Sequence, residues 1–174
     1  MGKKMNHHNP LFVTIRPSKS GFRAFVAIED LASIRKDPEL ILRQATELYA
    51  RYVQEMRSLI KRVETCRSHH ECIPARTIWN VGDAIFRLRN DLDTLSLQLD
   101  GVYEHLARDL GVKKKWLEKV VTLRRYVLAQ DTIPEALNWG HCEKGTRRVA
   151  ESLQQRALRS APGNPSADSR CTHE

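Results

Sequence analysis

At 174 residues, with 41% hydrophobic content, the chain is long enough for one core-bearing domain that needs no disulfide staples. A formal net charge of +8 favours an anionic partner, without separating nucleic acid from an acidic protein or a membrane surface. No run approaches the roughly 18 consecutive apolar residues of a membrane span, and the opening Met-Gly-Lys-Lys-Met-Asn-His-His lacks the apolar core of a signal peptide, so a cytoplasmic location and no membrane partner are expected.

Residues 1–36 read as an N-terminal β-like flap. Within it, residues 11–28 hold two short runs rich in β-branched and aromatic residues, Leu-Phe-Val-Thr-Ile-Arg and Phe-Arg-Ala-Phe-Val-Ala-Ile, around a Gly-containing turn. An isolated hairpin is marginal in water, so this one is expected to pack on helices or to pair across a dimer.

From Asp37-Pro38, an N-cap followed by a first-turn proline, the pattern turns helical. A helical domain is expected over residues 37–159. Ile41, Ala45, Leu48, Tyr52, Met56, Leu59, Ile60 and Val63 form the apolar stripe of its first helix, with Arg43, Glu47, Arg51, Glu55, Arg57, Lys61 and Arg62 on the solvated side. Next comes Cys66-Arg-Ser-His69-His70-Glu-Cys72, which contains four metal-competent side chains. For Cys66, His69, His70 and Cys72 all to converge on one ion within so short a loop is demanding, and Cys142 beside His141 reads as a packed thiol, so no metal and no cofactor are expected. The four cysteines, the last being Cys171, match no disulfide framework and are expected to be reduced.

Pro74 opens a second long helix with Ile78, Trp79, Gly82, Ile85, Leu88, Leu92, Leu95 and Leu99 near one stripe, ending at Asp100-Gly101. Gly82 costs about 1 kcal/mol against Ala inside a helix, which points to close packing of another helix there. Residues 103–127 then carry the spacing of a helix-turn-helix. Leu106 and Leu110 lie on one helix face, small Ala107 permits close approach, Gly111 suits a tight turn, and Val112, Leu117, Val120 and Val121 complete a shared core.

That spacing leaves Lys113, Lys114, Lys115, Glu118, Lys119 and Thr122 outward, where a recognition helix meets a major groove. Lysine is a flexible point charge, so this face predicts phosphate affinity more than base reading, while Glu118 would accept from a cytosine amino group or pair with Lys114 or Lys115. Arg124, Arg125, Arg147 and Arg148 would extend the basic track if the last helix folds beside the recognition helix. From residue 104 to 159 there are twelve Lys or Arg against seven Asp or Glu. Thr132-Ile-Pro134 starts a further element, anchored by Leu137-Asn-Trp139-Gly140, and a final amphipathic helix has Val149, Leu153 and Leu158 apolar with Lys144, Arg147, Arg148 and Arg156 charged. Residues 160–174 are too poor in apolar side chains to fold and are expected to be disordered.

The order Trp79-x-x-Gly82-x-x-Ile85, Leu106-Ala-x-Asp109-Leu-Gly111, Trp116-Leu117 with Arg124-Arg125-Tyr126, and Leu137-Asn-Trp139-Gly140-His141 resembles the N-terminal helical domain of YhcG-type bacterial proteins over about residues 40–150. In longer members of that family this domain precedes a nuclease domain. The resemblance implies a nucleic-acid-binding helical module and lends no support to catalysis, since the chain carries no counterpart of the nuclease domain. It does not account for the β-like segment at residues 11–28.

The expected fold is therefore mainly α, a helical bundle containing a helix-turn-helix, with a small N-terminal hairpin-like segment. The expected function is a nucleic-acid-binding module for double-stranded DNA, a regulator or accessory subunit in a mobile-element or defence context. The alternative is a non-catalytic helical assembly protein, as a homodimer or within a larger complex. No phosphate-binding Gly loop, nucleophile elbow or metal-protease motif points to an enzyme.

Overall fold

A computed structural model of the chain describes residues 11–27, 30 and 37–160. The structure is mainly α with a small sheet at the N-terminus. The strands β1 (Leu11–Ser18) and β2 (Gly21–Val26) form the expected antiparallel hairpin, Val13 opposite Val26 through Ser18 opposite Gly21. Ile28, most of the segment up to residue 36, the first ten residues, and the tail with Cys171 lie outside the described residues.

Helix α1 (Pro38–Ser68) starts as the sequence predicts: Asp37 Oδ1 accepts from the amides of Glu39 and Leu40 at 3.0 and 3.4 Å. Its buried stripe is Ile41, Ala45, Tyr49, Tyr52, Val53, Met56, Ile60 and Val63. Leu48 and Leu59, expected in that stripe, are only half-buried, and Tyr49 and Val53 take their place. The stripe is turned because α1 packs on two partners at once, the sheet and helix α2 (Ala75–Thr94).

Helix α2 stops earlier than its Leu spacing suggests. Leu95 caps it, Ser96 takes a left-handed φ of 59°, and Leu97–Leu99 forms strand β3, parallel to β1. The expectation that Leu95 and Leu99 continue the helical stripe is thereby corrected. Burying Leu97 beneath a strand that needs a third neighbour outweighs one more helical turn, and the sheet order becomes β2-β1-β3. The parallel pairing is reached through the long α1–α2 crossover, as parallel strands require. The hairpin is stabilised in this way by β3 and α1 within one chain.

Helices α3 (Val102–Leu110) and α4 (Lys114–Tyr126) follow, joined by Gly111-Val112-Lys113. A 3-10 turn (Gln130–Thr132), the short helix α5 (Trp139–Glu143) and the last helix α6 (Thr146–Ser160) complete the bundle. Trp139 is buried, with its backbone N–H donated to Ile73 O at 2.7 Å, so the Leu137-Asn-Trp139 segment anchors the connector beneath the start of α2. Helix α6 packs against α4, with Ala150 and Leu153 buried, but Leu158, read as apolar with Val149 and Leu153, is 59% exposed near the end of the helix. Among the described residues no helix is long and apolar enough to cross a membrane.

Candidate nucleic-acid interface

The α3–α4 unit is built as its apolar spacing requires. Leu106, Leu117 and Val120 are fully buried, Val121 and Leu123 join them, and Ala107, Leu110 and Val112 pack against this cluster. Gly111 has φ 68°, a left-handed conformation that residues with a side chain rarely adopt, and the N–H of Val112 returns to Ala107 O at 3.0 Å. Gly82 lets α2 and α4 touch: a Cβ there would lie 2.8 Å from Arg124 Cβ and 2.9 Å from Val120 O.

A second set of contacts fixes α3 against the hairpin and α1. Tyr49 Oη donates to Asp109 Oδ2 at 2.7 Å, Arg108 donates to both Asp109 oxygens, and Arg108 Nη2 also reaches Ile15 O at 3.3 Å. Burial pushes the Asp109 carboxyl up in pKa, but the hydrogen bonds from Arg108 and Tyr49 outweigh it and hold the group below the ordinary aspartate range. Burial and the same carboxylate raise the Tyr49 phenol, which stays protonated as the donor.

Helix α4 begins at Lys114 after Lys113, which adopts an extended conformation and offers no side-chain cap. The amides of Lys114 and Lys115 are therefore without a side-chain capping oxygen, while the Trp116 amide donates to Lys113 O at 2.9 Å, beside three consecutive lysines. Such an end carries partial positive charge and suits an anion. Lys113, Lys115, Glu118 and Arg125 are exposed, and Lys119 and Thr122 are half-buried.

The outward residues are not equally free. Lys114 is hydrogen-bonded to Glu104 of α3, which raises the lysine and lowers the carboxylate in pKa. Of the two alternatives for Glu118, pairing with Lys114 is replaced by this contact across the turn, and among the described residues Glu118 forms no ion pair with Lys115. Lys119 Nζ lies 3.5 Å from Glu143 Oε1, and Thr122 Oγ1 donates to Glu118 O at 2.8 Å. Arg147 pairs with Glu151 at 2.8 Å and lies over the Tyr126 ring, so α6 does fold beside α4 and sets Arg147 near its C-terminal end. Among the described residues, Lys113, Lys115, Arg125 and Arg148 make no ion pair.

Arg124 is placed differently from the other candidates. Its Nε donates to Asp83 Oδ1 at 2.8 Å, and its guanidinium lies over the Trp79 and Phe86 rings. It belongs to the α2–α4 contact rather than to the outer track, because the close approach at Gly82 brings α2 across that side of α4.

The Cys/His run straddles the end of α1: His69 caps it, His70 has φ 57°, and His69, His70 and Cys72 are exposed. No three potential metal ligands converge among the described residues. Cys66, Cys72 and Cys142 are free thiols, and burial raises the pKa of Cys142.

No protein-family model, curated protein or solved structure matches the chain.

Proposed function

We propose that the chain is a non-catalytic module that binds double-stranded DNA through α3, its turn and α4, acting as a regulator or accessory subunit in a mobile-element or defence context. The observation that carries this reading is the uncapped N-terminus of α4 flanked by exposed Lys113, Lys114 and Lys115. Helix dipole and side-chain charge act there in the same direction on a phosphate. The stripe of exposed Lys115, Glu118 and Arg125 with half-buried Thr122 follows the helix for about 15 Å. The resemblance to the N-terminal domain of YhcG-type proteins agrees with this reading, and a cytoplasmic site of action is part of it.

Titration of labelled double-stranded DNA across salt tests the proposal. Replacing Lys113, Lys115 and Arg125 together by Ala is expected to weaken binding on unrelated sequences and to reduce the log–log salt slope by about 0.9 for each lost contact. An unchanged affinity and slope in a folded triple variant would defeat it.

A second reading, a helical assembly protein, is favoured by Leu128 and Leu158, which are 64% and 59% exposed. Light scattering of the parent and of a Leu128→Ser/Leu158→Ser variant distinguishes it: a concentration-dependent oligomer that dissociates on this change supports assembly.

A further inference from the structure

The outer face of the N-terminal sheet has a composition that its role as a cover for α1 does not require. Along β1, Val13 and Ile15 point inward and are fully buried, which turns Phe12, Thr14 and Arg16 outward. On β2, Ala24 points inward and Arg23 and Phe25 outward. Phe12 is 58% and Phe25 39% exposed, an unusual cost for two large rings on one small face. Thr14 stands opposite Phe25, Arg16 opposite Arg23, and Phe12 beside Gln98 of β3. Phe12 and Phe25 are thus diagonal neighbours, about 7–8 Å apart by sheet geometry. The guanidinium carbons of Arg16 and Arg23 lie 5.3 and 5.6 Å from the Phe25 ring centroid.

The three strands contain no Asp or Glu; the carboxylates nearest to them along the chain are Glu29 and Asp30 after β2 and Asp100 after β3. Among the described residues Arg16 and Arg23 make no ion pair, and these two cations flank exposed rings on strands that carry no carboxylate. We propose that this face binds single-stranded nucleic acid, with unpaired bases stacked on Phe12 and Phe25 and the backbone phosphates met by Arg16 and Arg23. A base offers a flat π-face to a ring and a phosphate a charge to a guanidinium, which is the pairing of chemistries this face presents. Duplex DNA keeps its bases stacked inside and has none to offer these rings.

A second copy of the chain fits poorly. A two-fold contact through this face would gather Arg16 and Arg23 of both copies on one contact with no strand carboxylate to pair them, which is unfavourable. Addition of a strand at the β2 edge is also hindered, since the Ala24 N–H is donated to Thr46 Oγ1 of α1 at 3.0 Å. The proposal does not depend on the α4 reading.

The test is fluorescence anisotropy of the full chain with labelled oligo-dT and oligo-rU of about 15 nucleotides, a length that spans an extended binding groove. Phe12→Ala/Phe25→Ala is expected to lower affinity at least about fivefold for each ring removed, and Phe12→Tyr/Phe25→Tyr to restore it. Arg16→Ala/Arg23→Ala should reduce the salt slope by about 0.7 for each charge. The loss caused by the Phe pair should persist in a Lys113→Ala/Lys115→Ala background, and the Phe pair should leave duplex affinity unchanged, so each surface fails or succeeds separately. Loss of affinity for one of the two oligomers alone assigns the face to DNA or to RNA. The proposal is overturned if the parent binds neither oligomer at low salt, if the folded Phe→Ala pair binds as tightly as the parent, or if that pair instead dissociates an oligomer seen by light scattering.

Discussion

The guanidinium of Arg124 lies 4.7 Å from the centroid of the Trp79 ring, while Trp79 Nε1 donates to Val127 O at 2.7 Å. One tryptophan thus holds α4 at two points, its face on a cation and its edge on the helix end. The Arg124–Asp83 pair beside it is about four-fifths buried on both sides, so Arg124 depends on Asp83 for lost hydration, while Asp83 is shared with Arg87. Arg124→Ala is expected to cost about 1–2 kcal/mol, through the lost stacking on Trp79 and Phe86 and one lost ion pair, while Asp83 keeps Arg87 Nε at 2.9 Å on its other oxygen. Thermal unfolding measures that loss. The salt slope of DNA binding in the folded fraction should not change, which separates this arginine from Arg125 next to it.

Gly82→Ala tests the same contact by volume. The added methyl would improve helix propensity by about 1 kcal/mol, but it meets Val120 O at 2.9 Å, a backbone atom that cannot swing away. Overpacking of about 1–3 kcal/mol is expected to win. Urea unfolding should show a lower midpoint with an unchanged slope; a more stable variant would mean that α2 and α4 separate easily.

Glu104 pairs with Lys114, and under the proposed function it would compete with phosphate for that lysine. Both side chains are about half exposed, so breaking the pair has little effect on stability. Glu104→Gln is expected to leave the melting temperature within about 2 °C and to tighten duplex binding, since Lys114 is freed and a carboxylate beside the binding face is removed. Equal or weaker binding in this variant would place the phosphate contacts elsewhere.

His105 Nδ1 is buried without a hydrogen-bond partner among the described residues. Burial, and then the charge of Arg108, lower its pKa, against smaller opposing effects from Asp109, Asp100 and Glu104. The unfolded chain therefore takes up a proton at higher pH than the folded one, so stability is fully present above the unfolded value near 6.5 and falls as the pH drops through the lowered folded value. Chemical denaturation between about pH 7 and pH 5 should show this decline. His105→Gln is expected to flatten it, and a slope that persists unchanged would assign it to another group.

Periodicity and turn chemistry were enough to read much of this architecture. Asp37-Pro38 marked the start of α1, Gly82 a helix contact, and Gly111 a left-handed turn, because each depends on properties of a few adjacent residues. The hairpin and the α3–α4 pair were legible for the same reason. Strand β3 was not, since Leu95 and Leu99 fit a helical stripe and only pairing with β1 gives Leu97 a better place. Phe12 and Phe25 were likewise read only as strand formers. The signal available was the alternation of Phe12, Thr14 and Arg16 in a segment without carboxylates.

For the candidate surface, the sequence by itself determined which side of α4 is basic and where the helix begins, since burial at three- and four-residue spacing selects a face. Tertiary structure decided which cations stay free. Glu104, Glu143 and Glu151 reach Lys114, Lys119 and Arg147, while Asp83 draws Arg124 into the α2 contact. Apart from the i,i+4 pair of Arg147 and Glu151, these contacts join different elements, and charge pairing at a few ångströms is set by how helices pack rather than by the order of residues along the chain.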